Sequence, residues 1–376
     1  MSIYDELGIA RIINGGGTLT KFGGSKMAPG VLAAMNEAAG AFVDIRTLHT
    51  KAGEKIAGLL GVEAACITSG AAAGIAISAA ACMSRGEIQK TLQLPETTGM
   101  PNEVLMLKCH RILYDQALLL AGARVREIGM TSSAHLAQVE SAVSERTAMF
   151  FYVAENERMR GSQPLAEIAP IMKRHRIPVV VDAAAELPPT SNVRKYLDLG
   201  ANLVIFSGGK EIRGPQSSGL ILGDKQLIEA CDANCCPNYS IGRPMKIDKE
   251  TIAGIVKAIE LFVKKDYAQE MNRWEAMVVS MVAAFCSIPG IDVRRGFPVE
   301  PGIQPVDIPR VYMRSGHAPA KELQDRLMNS NPAVYVDVQD DEIVINPQCL
   351  EDDEVSIVIA AVTGLLHRIM NGKGVR

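Results

Sequence analysis

Two short apolar runs in this chain stop at ionisable residues: Ile177-Pro178-Val179-Val180-Val181-Asp182, and the stretch through Phe206 that leads into Ser207-Gly208-Gly209-Lys210. Runs of this kind read as buried strands. An acid and an amine are thereby set at the carboxyl edge of a sheet, where open α/β folds bind ligands. Burial lowers the pKa of a lysine and frees its lone pair for attack on a carbonyl, which makes Lys210 a candidate Schiff-base former.

The same alternation of strand and helix extends over residues 51–223. A helical period over Thr47–Leu60 precedes a strand at Ala64–Thr68, which breaks into Ser69-Gly70-Ala71-Ala72-Ala73-Gly74 and an alanine-rich helix to Met83. Strands follow at Val104–Leu107, Val125–Ile128 and Thr147–Val153, with helices near Tyr114–Ala121 and Ile168–His175. The stretch 84–102, which holds Thr97-Thr98-Gly99 between two prolines, reads as a loop: a lid or, by preference, a surface excursion. This order predicts an α/β fold with a mostly parallel central sheet covered by helices. Beyond Lys249 a long helix over Glu250–Lys264 and further gives way to strand-rich segments at Arg310–Met313 and Glu342–Asn346 and a last helix at Asp353–Met370. The expected organisation is an N-terminal arm at 1–46, a large domain at 47–246 and a smaller α+β domain at 247–376.

The turn Thr68-Ser69-Gly70-Ala71-Ala72 leaves backbone N–H groups free at a helix start, and its small side chains let an anion approach. The plainer reading is a tight connection in which alanine packs well. No Gly-Lys-Ser/Thr follows, so it is not a Walker A loop. Several function classes drop out on composition. A formal net charge of −3 argues against a general polyanion binder, so no nucleic acid is expected. No apolar run reaches the roughly 18 residues of a membrane span, and the first residues lack the apolar core of a secretory signal, which points to a cytoplasmic enzyme. Eight cysteines then read as reduced thiols. Cys231, Cys235 and Cys236 cluster, but with no paired C-x-x-C and no nearby His-x-x-x-His no metal is expected.

Taken together the anchors resemble the fold-type I enzymes that use pyridoxal 5'-phosphate (PLP), in the branch that holds bacterial selenocysteine synthase and D-glucosaminate-6-phosphate ammonia-lyase. The resemblance covers nearly the whole chain. It rests on Arg11-Ile12-Ile13-Asn14-Gly15-Gly16-Gly17-Thr18, Thr68-Ser69-Gly70-Ala71, His110-Arg111 with Tyr114-Asp115, Val181-Asp182-Ala183-Ala184, Ser207-Gly208-Gly209-Lys210 with Gly214-Pro215-Gln216, and Gly242-Arg243-Pro244-Met245-Lys246. It implies that Lys210 holds PLP as a Schiff base and later takes the α-proton, and that Asp182 pairs with the pyridinium nitrogen. Ser69, Gly70, Ala71 and Ser207 would hold the phosphate, His110 would stack on the ring and Ala184 would fill its other face. The bland alternatives are a helix N-cap for Asp182, a solvated lysine for Lys210 and a hydrogen-bonded core histidine for His110. Asn14, Gly15, Arg46, Gln216, Arg243 and Lys246 are the candidate substrate contacts, and His49, Arg213, Arg310 and Arg314 are further basic candidates for an acidic substrate. The implied reaction is an α,β-elimination on a β-hydroxy or phosphorylated amino acid, giving a 2-keto acid and ammonia. Racemisation, β-replacement and a non-catalytic binding role are the alternatives. The glycine motif begins within the first fifteen residues, where tRNA-using members carry an extra domain, so a small-molecule substrate and a homodimer are expected.

Overall fold

The computed structural model describes residues 2–372. Its strands are, in chain order, β1 (Ile12–Asn14), β2 (Ala64–Thr68), β3 (Glu103–Leu107), β4 (Arg124–Ile128), β5 (Thr147–Val153), β6 (Val179–Asp182), β7 (Leu203–Ser207), β8 (Gly219–Gly223), β9 (Ile291–Gly296), β10 (Arg310–Ser315), β11 (Ala333–Tyr335), β12 (Asp337–Gln339) and β13 (Glu342–Ile345). They serve two compact units, one of residues 27–265 with 300–304, the other of residues up to 26, 266–299 and those from 305 on.

The larger unit is built on a seven-stranded sheet in the order β2-β8-β7-β6-β5-β3-β4. Strands β4, β3, β5, β6 and β7 run parallel, and β8 is antiparallel to both its neighbours. Every residue of β5 and β6 is buried, as expected of strands covered on both faces. The antiparallel β8 follows from chain length: the link 208–218 is too short for the helical crossover that a parallel return needs. The alanine-rich helix Ala71–Ser84 buries all its residues from Gly74 onward, because a near-continuous small apolar surface packs closely against the sheet. The stretch 84–102 is folded rather than open. It carries a helix at Ile88–Gln93, it is tied by Gln93 Nε2 to Glu96 and the Thr98 carbonyl, and Leu94 and Met100 join the core.

The smaller unit has a four-stranded antiparallel sheet, β12-β13-β10-β9, and a parallel pair, β1 with β11. Its boundary with the larger unit falls later than the sequence pattern suggests. Helix Lys249–Phe262 buries Ile252, Ile255 and Ile259 against the helices Pro29–Ala39 and Ile45–Leu60, whereas Asp266 caps a new helix, Tyr267–Phe285, that belongs to the smaller core. The first 26 residues join that core through β1, whose Ile13 is buried among Trp274, Phe285 and Val334. The Asn14 motif is a turn that closes this pairing. Asn14 Nδ2 donates to the Gly17 carbonyl, and its Oδ1 accepts from the Gly16 N–H at 2.8 and 3.0 Å. Gly15 is required there, since a Cβ would stand 2.9 Å from the Tyr335 carbonyl oxygen.

Phe285 is fully buried in this core. Phe285→Ala is expected to lower unfolding free energy by about 3–5 kcal/mol, read from urea melts monitored by circular dichroism.

Candidate active site

The carboxyl ends of β5, β6 and β7 lie side by side, with Val153, Asp182 and Ile205 in register. Asp182 is therefore the last strand residue, and its buried carboxylate Oδ1 accepts the Ala184 N–H at 3.0 Å. Lys210 follows the end of β7 in a tight turn, in which the Gly214 N–H reaches the Gly208 carbonyl at 2.8 Å and the Arg213 N–H the Lys210 carbonyl at 2.9 Å. Burial lowers the pKa of the Lys210 amine, against the opposing pull of Asp182, Glu155 and Glu186. Burial raises the Asp182 carboxyl, with the Ala184 N–H and Lys210 pulling it back. The pair thus perturbs in the directions that serve nucleophilic and proton-transfer chemistry.

A second feature sits across β8. Thr68, Gly219 and Ser207 are in register on β2, β8 and β7, so the turn Ser69-Gly70-Ala71 and the Ser207 side chain flank Gly219 from either side. A Cβ on Gly219 would stand 2.5 Å from the Gly70 carbonyl carbon and 2.8 Å from the Ala71 nitrogen. Only a glycine leaves this space. Helix Ala71–Ser84 begins at Gly70 with no side-chain cap, so its first N–H groups carry the positive end of the helix dipole into the cradle. Thr68 Oγ1 donates to the Gly70 carbonyl at 2.9 Å and holds the turn. The donor set suits a phosphate group, and the Lys210 amine with the Asp182 carboxylate suits an aldehyde-bearing pyridine.

Two carboxyls at this edge are invisible to motif reading. Glu155 lies two residues beyond β5, and burial followed by the nearby Asp182 charge raises its pKa. Glu186 lies four residues beyond β6, and burial pushes it up to about 7 although the Tyr196 hydroxyl donates to Oε2 at 3.0 Å. The signal that would have found them is position: both follow directly on the carboxyl ends of central strands.

His110 differs from its expected part. The ring is wholly buried, Nδ1 accepts the Val153 N–H at 3.1 Å, and Nε2 therefore donates to Ser162 Oγ at 2.9 Å. Tyr152 meets it edge-on at 4.5 Å between ring centres. Burial pulls its pKa down to about 4, so it is neutral, and it presents no open face for a stacked ring. Ala184 is partly exposed just beyond Asp182. Among the substrate candidates, Gln216 lies over Gly209 beside Lys210, with Oε1 2.5 Å from where a Gly209 Cβ would be. Arg46 is exposed and lines a cavity of 280 Å³ with Tyr239 and Ser240, whose lining includes neither Lys210 nor Asp182. Arg243 and Lys246 are exposed, with Arg243 Nη1 3.8 Å from Cys236 Sγ. Asn14 and Gly15 belong to the turn of the smaller unit described above.

A family model described as SelA, L-seryl-tRNA selenium transferase, matches residues 46–284. The chain belongs to the SelA family. It is 38% identical over 264 residues to D-glucosaminate-6-phosphate ammonia lyase of Salmonella typhimurium, covering 69% of each chain. It is also 32% identical over 379 residues to 5'-C-glycyluridine monooxygenase-decarboxylase of a Streptomyces species, covering 96% of this chain and 92% of that one. The solved structure of a D-glucosaminate-6-phosphate ammonia-lyase matches with a TM-score of 0.85 at 29% identity, over 98% of this chain and 99% of the other. The mostly parallel sheet with its small antiparallel companion is the fold-type I PLP-dependent transferase fold.

The pH dependence of this SelA-family protein follows from Glu186. Its carboxyl is raised from the ordinary 4.5, so the native state keeps a proton that the unfolded chain releases, and this group's contribution to stability declines as pH rises from 4.5 to about 7. Glu186→Gln is expected to remove that decline. Urea melts at either end of the window would show the stability advantage of wild type over variant shrinking by on the order of 2–3 kcal/mol as pH rises; parallel pH profiles would contradict it.

Proposed function

We propose that this protein is a PLP-dependent lyase that eliminates ammonia from a β-hydroxy or phosphorylated amino acid, with D-glucosaminate 6-phosphate as the first candidate substrate. The observation that carries the reading is the burial-perturbed Lys210 amine beside Asp182 at the strand edge, in a chain 38% identical over 264 residues to an ammonia lyase of that substrate. When bound, PLP supplies the sink for the electron pair left on the substrate's α-carbon. Lys210 Nζ, its pKa lowered by burial, accepts the α-proton. Asp182, hydrogen-bonded to the Ala184 N–H, would hold the proton of the cofactor's ring nitrogen. Ser69, Gly70 and Ala71 hold the phosphate through the helix start, and Ser207 adds a hydroxyl from the other side of Gly219.

Departure of a β-hydroxyl as water needs a proton, and Glu186, raised to about 7, is the nearby acid suited to give it. The unsaturated amine released then takes up water to yield a 2-keto acid and ammonia. His110 is assigned to holding β5 through the Val153 N–H rather than to proton transfer. Gln216, which lies over Gly209 beside Lys210, is retained as a substrate contact, with Arg243, Lys246 and Arg46 as basic candidates for an acidic substrate. A homodimer is proposed on the strength of the bare side chains of Phe42 and Leu113. Cytoplasmic location is proposed because the adjacent, unbridged thiols Cys66 and Cys235 suit a reducing compartment.

A second reading is favoured by the Streptomyces relative, whose similarity runs over 96% of the chain: oxygen-dependent decarboxylation of an amino acid. One experiment separates the two. Wild type and Lys210→Ala, each reconstituted with PLP, are supplied with D-glucosaminate 6-phosphate and other β-hydroxy amino acids while keto acid, ammonia, oxygen uptake and product chirality are followed. Keto acid and ammonia without oxygen uptake, about 10²–10⁴-fold slower with Lys210→Ala, are expected. Oxygen uptake with carbon dioxide release would move the assignment to the second reading, and inverted chirality alone to a racemase.

Gly219→Ala crowds Gly70 and is expected to weaken PLP binding by about 10-fold or more while far-UV circular dichroism stays unchanged. Unchanged PLP affinity would argue against the cradle.

A further inference from the structure

Behind the cradle, on the same strand, lies a buried group of polar side chains that the proposed reaction does not use. Cys66 is in β2, Cys235 follows the helix Lys225–Asn234, and their Sγ atoms are 3.6 Å apart. His49, from the helix Ile45–Leu60, is buried beside them. Its Nε2 is 2.7 Å from the Ile67 carbonyl oxygen, which can only accept, so Nε2 carries the proton. In the neutral ring Nδ1 is then a bare lone pair. That lone pair faces Asp232 Oδ1 at 3.5 Å, an oxygen shut off from solvent that takes no hydrogen bond among the described residues. Two acceptors facing each other in a buried space need a proton or a metal cation between them, and two thiols alongside are the soft ligands that suit a metal.

We propose that His49, Cys66 Sγ and Cys235 Sγ form a three-residue site for a zinc-like divalent cation, with the Asp232 carboxylate, 3.5 Å from His49 Nδ1, drawn in as the fourth ligand when the ion binds. The dimensions agree. Two thiolates bound at about 2.3 Å to a tetrahedral ion lie about 3.8 Å apart, close to the 3.6 Å between these sulfurs. The histidine, Cys66 and Cys235 ligand atoms lie within 4.8 Å of one another, so a common point exists no more than about 2.8 Å from each, and small side-chain rotations bring it to bonding distance. The Ile67 carbonyl orients the imidazole through the nitrogen not used for the metal, the arrangement usual for histidine ligands. Each thiol gives its proton to solvent when the ion binds, so affinity weakens as pH is lowered. With Asp232 drawn in as the fourth ligand no position is left for water or substrate, so the site is structural. It ties the helices Ile45–Leu60 and Lys225–Asn234 to β2, the strand whose end forms the cradle, and it is independent of which reaction the protein performs. The spacing rules missed it because its ligands come from three separate elements and only Cys235 belongs to the cysteine cluster.

The test uses reduced, full-length, PLP-loaded protein stripped with a chelator, titrated with Co(II), then competed with Zn(II), with metal content measured by mass spectrometry. One ion per chain is expected, with the red d–d bands of tetrahedral cobalt displaced by zinc. His49→Ala should weaken binding by about 10–100-fold, and Cys66→Ser or Cys235→Ser should abolish the tetrahedral spectrum, while Cys286→Ser, at an exposed thiol, keeps it. If the serine variants fail to fold, the wild-type titration decides alone. Folded, reduced wild type that takes up no stoichiometric cobalt or zinc overturns the proposal, as does an octahedral spectrum. Formation of a Cys66–Cys235 disulfide in protein that binds no metal when reduced also overturns it, and would identify a redox pair instead.

Discussion

An ammonium and three carboxyls share a space at the carboxyl edge of the sheet from which much of the water has been removed, and the local design depends on keeping them there. Asp182, Glu155 and Glu186 are each pushed toward their neutral forms and Lys210 toward its own by the same desolvation. None of these groups sits on a mobile tip. Asp182 ends and Glu155 follows a fully buried strand whose position is set by register, Lys210 sits in the turn after β7, and Glu186 is steadied by the Tyr196 hydroxyl. Perturbed ionisation is thus a consequence of packing, and packing comes from continuous apolar runs.

The cradle obeys a steric rule. Gly219 separates Ser207 from the start of a helix, and the antiparallel course of β8 is what brings a glycine to that point. The turn at Gly70 and the Lys210 turn are therefore joined through the short link between β7 and β8, which couples the placement of both.

Much of this was legible in the sequence. The strands β2, β5 and β6 and the helix Ala71–Ser84 are recovered to within a few residues, because apolar runs and small-residue turns are local signals. Lys210 and Asp182 stood out because each ends or follows such a run. The rest was written in long-range contacts. Nothing local marks β8 as antiparallel, Glu186 as buried against Tyr196, or His110 as pinned by Val153. The Asn14 motif looked like a ligand contact, yet its amide is used on its own turn, which only the pairing with β11 reveals. The stretch 84–102 looked open because it is polar and carries prolines and glycines, but Leu94 and Met100 draw it into the core.

The parallel pairing of β1 with β11 joins the first few residues of the chain to residues 333–335. On a ribosome adding about 5–20 residues per second, β1 waits roughly 15–60 s for its partner to emerge. Through that interval Ile12 and Ile13 are an unpaired apolar edge, while the seven-stranded sheet, complete once Gly223 is made, already has every strand it needs. The nascent chain therefore completes the Gly70 and Lys210 turns well before its smaller unit can close, and through that interval the early segment, rather than the seven-stranded sheet, is the exposed apolar edge.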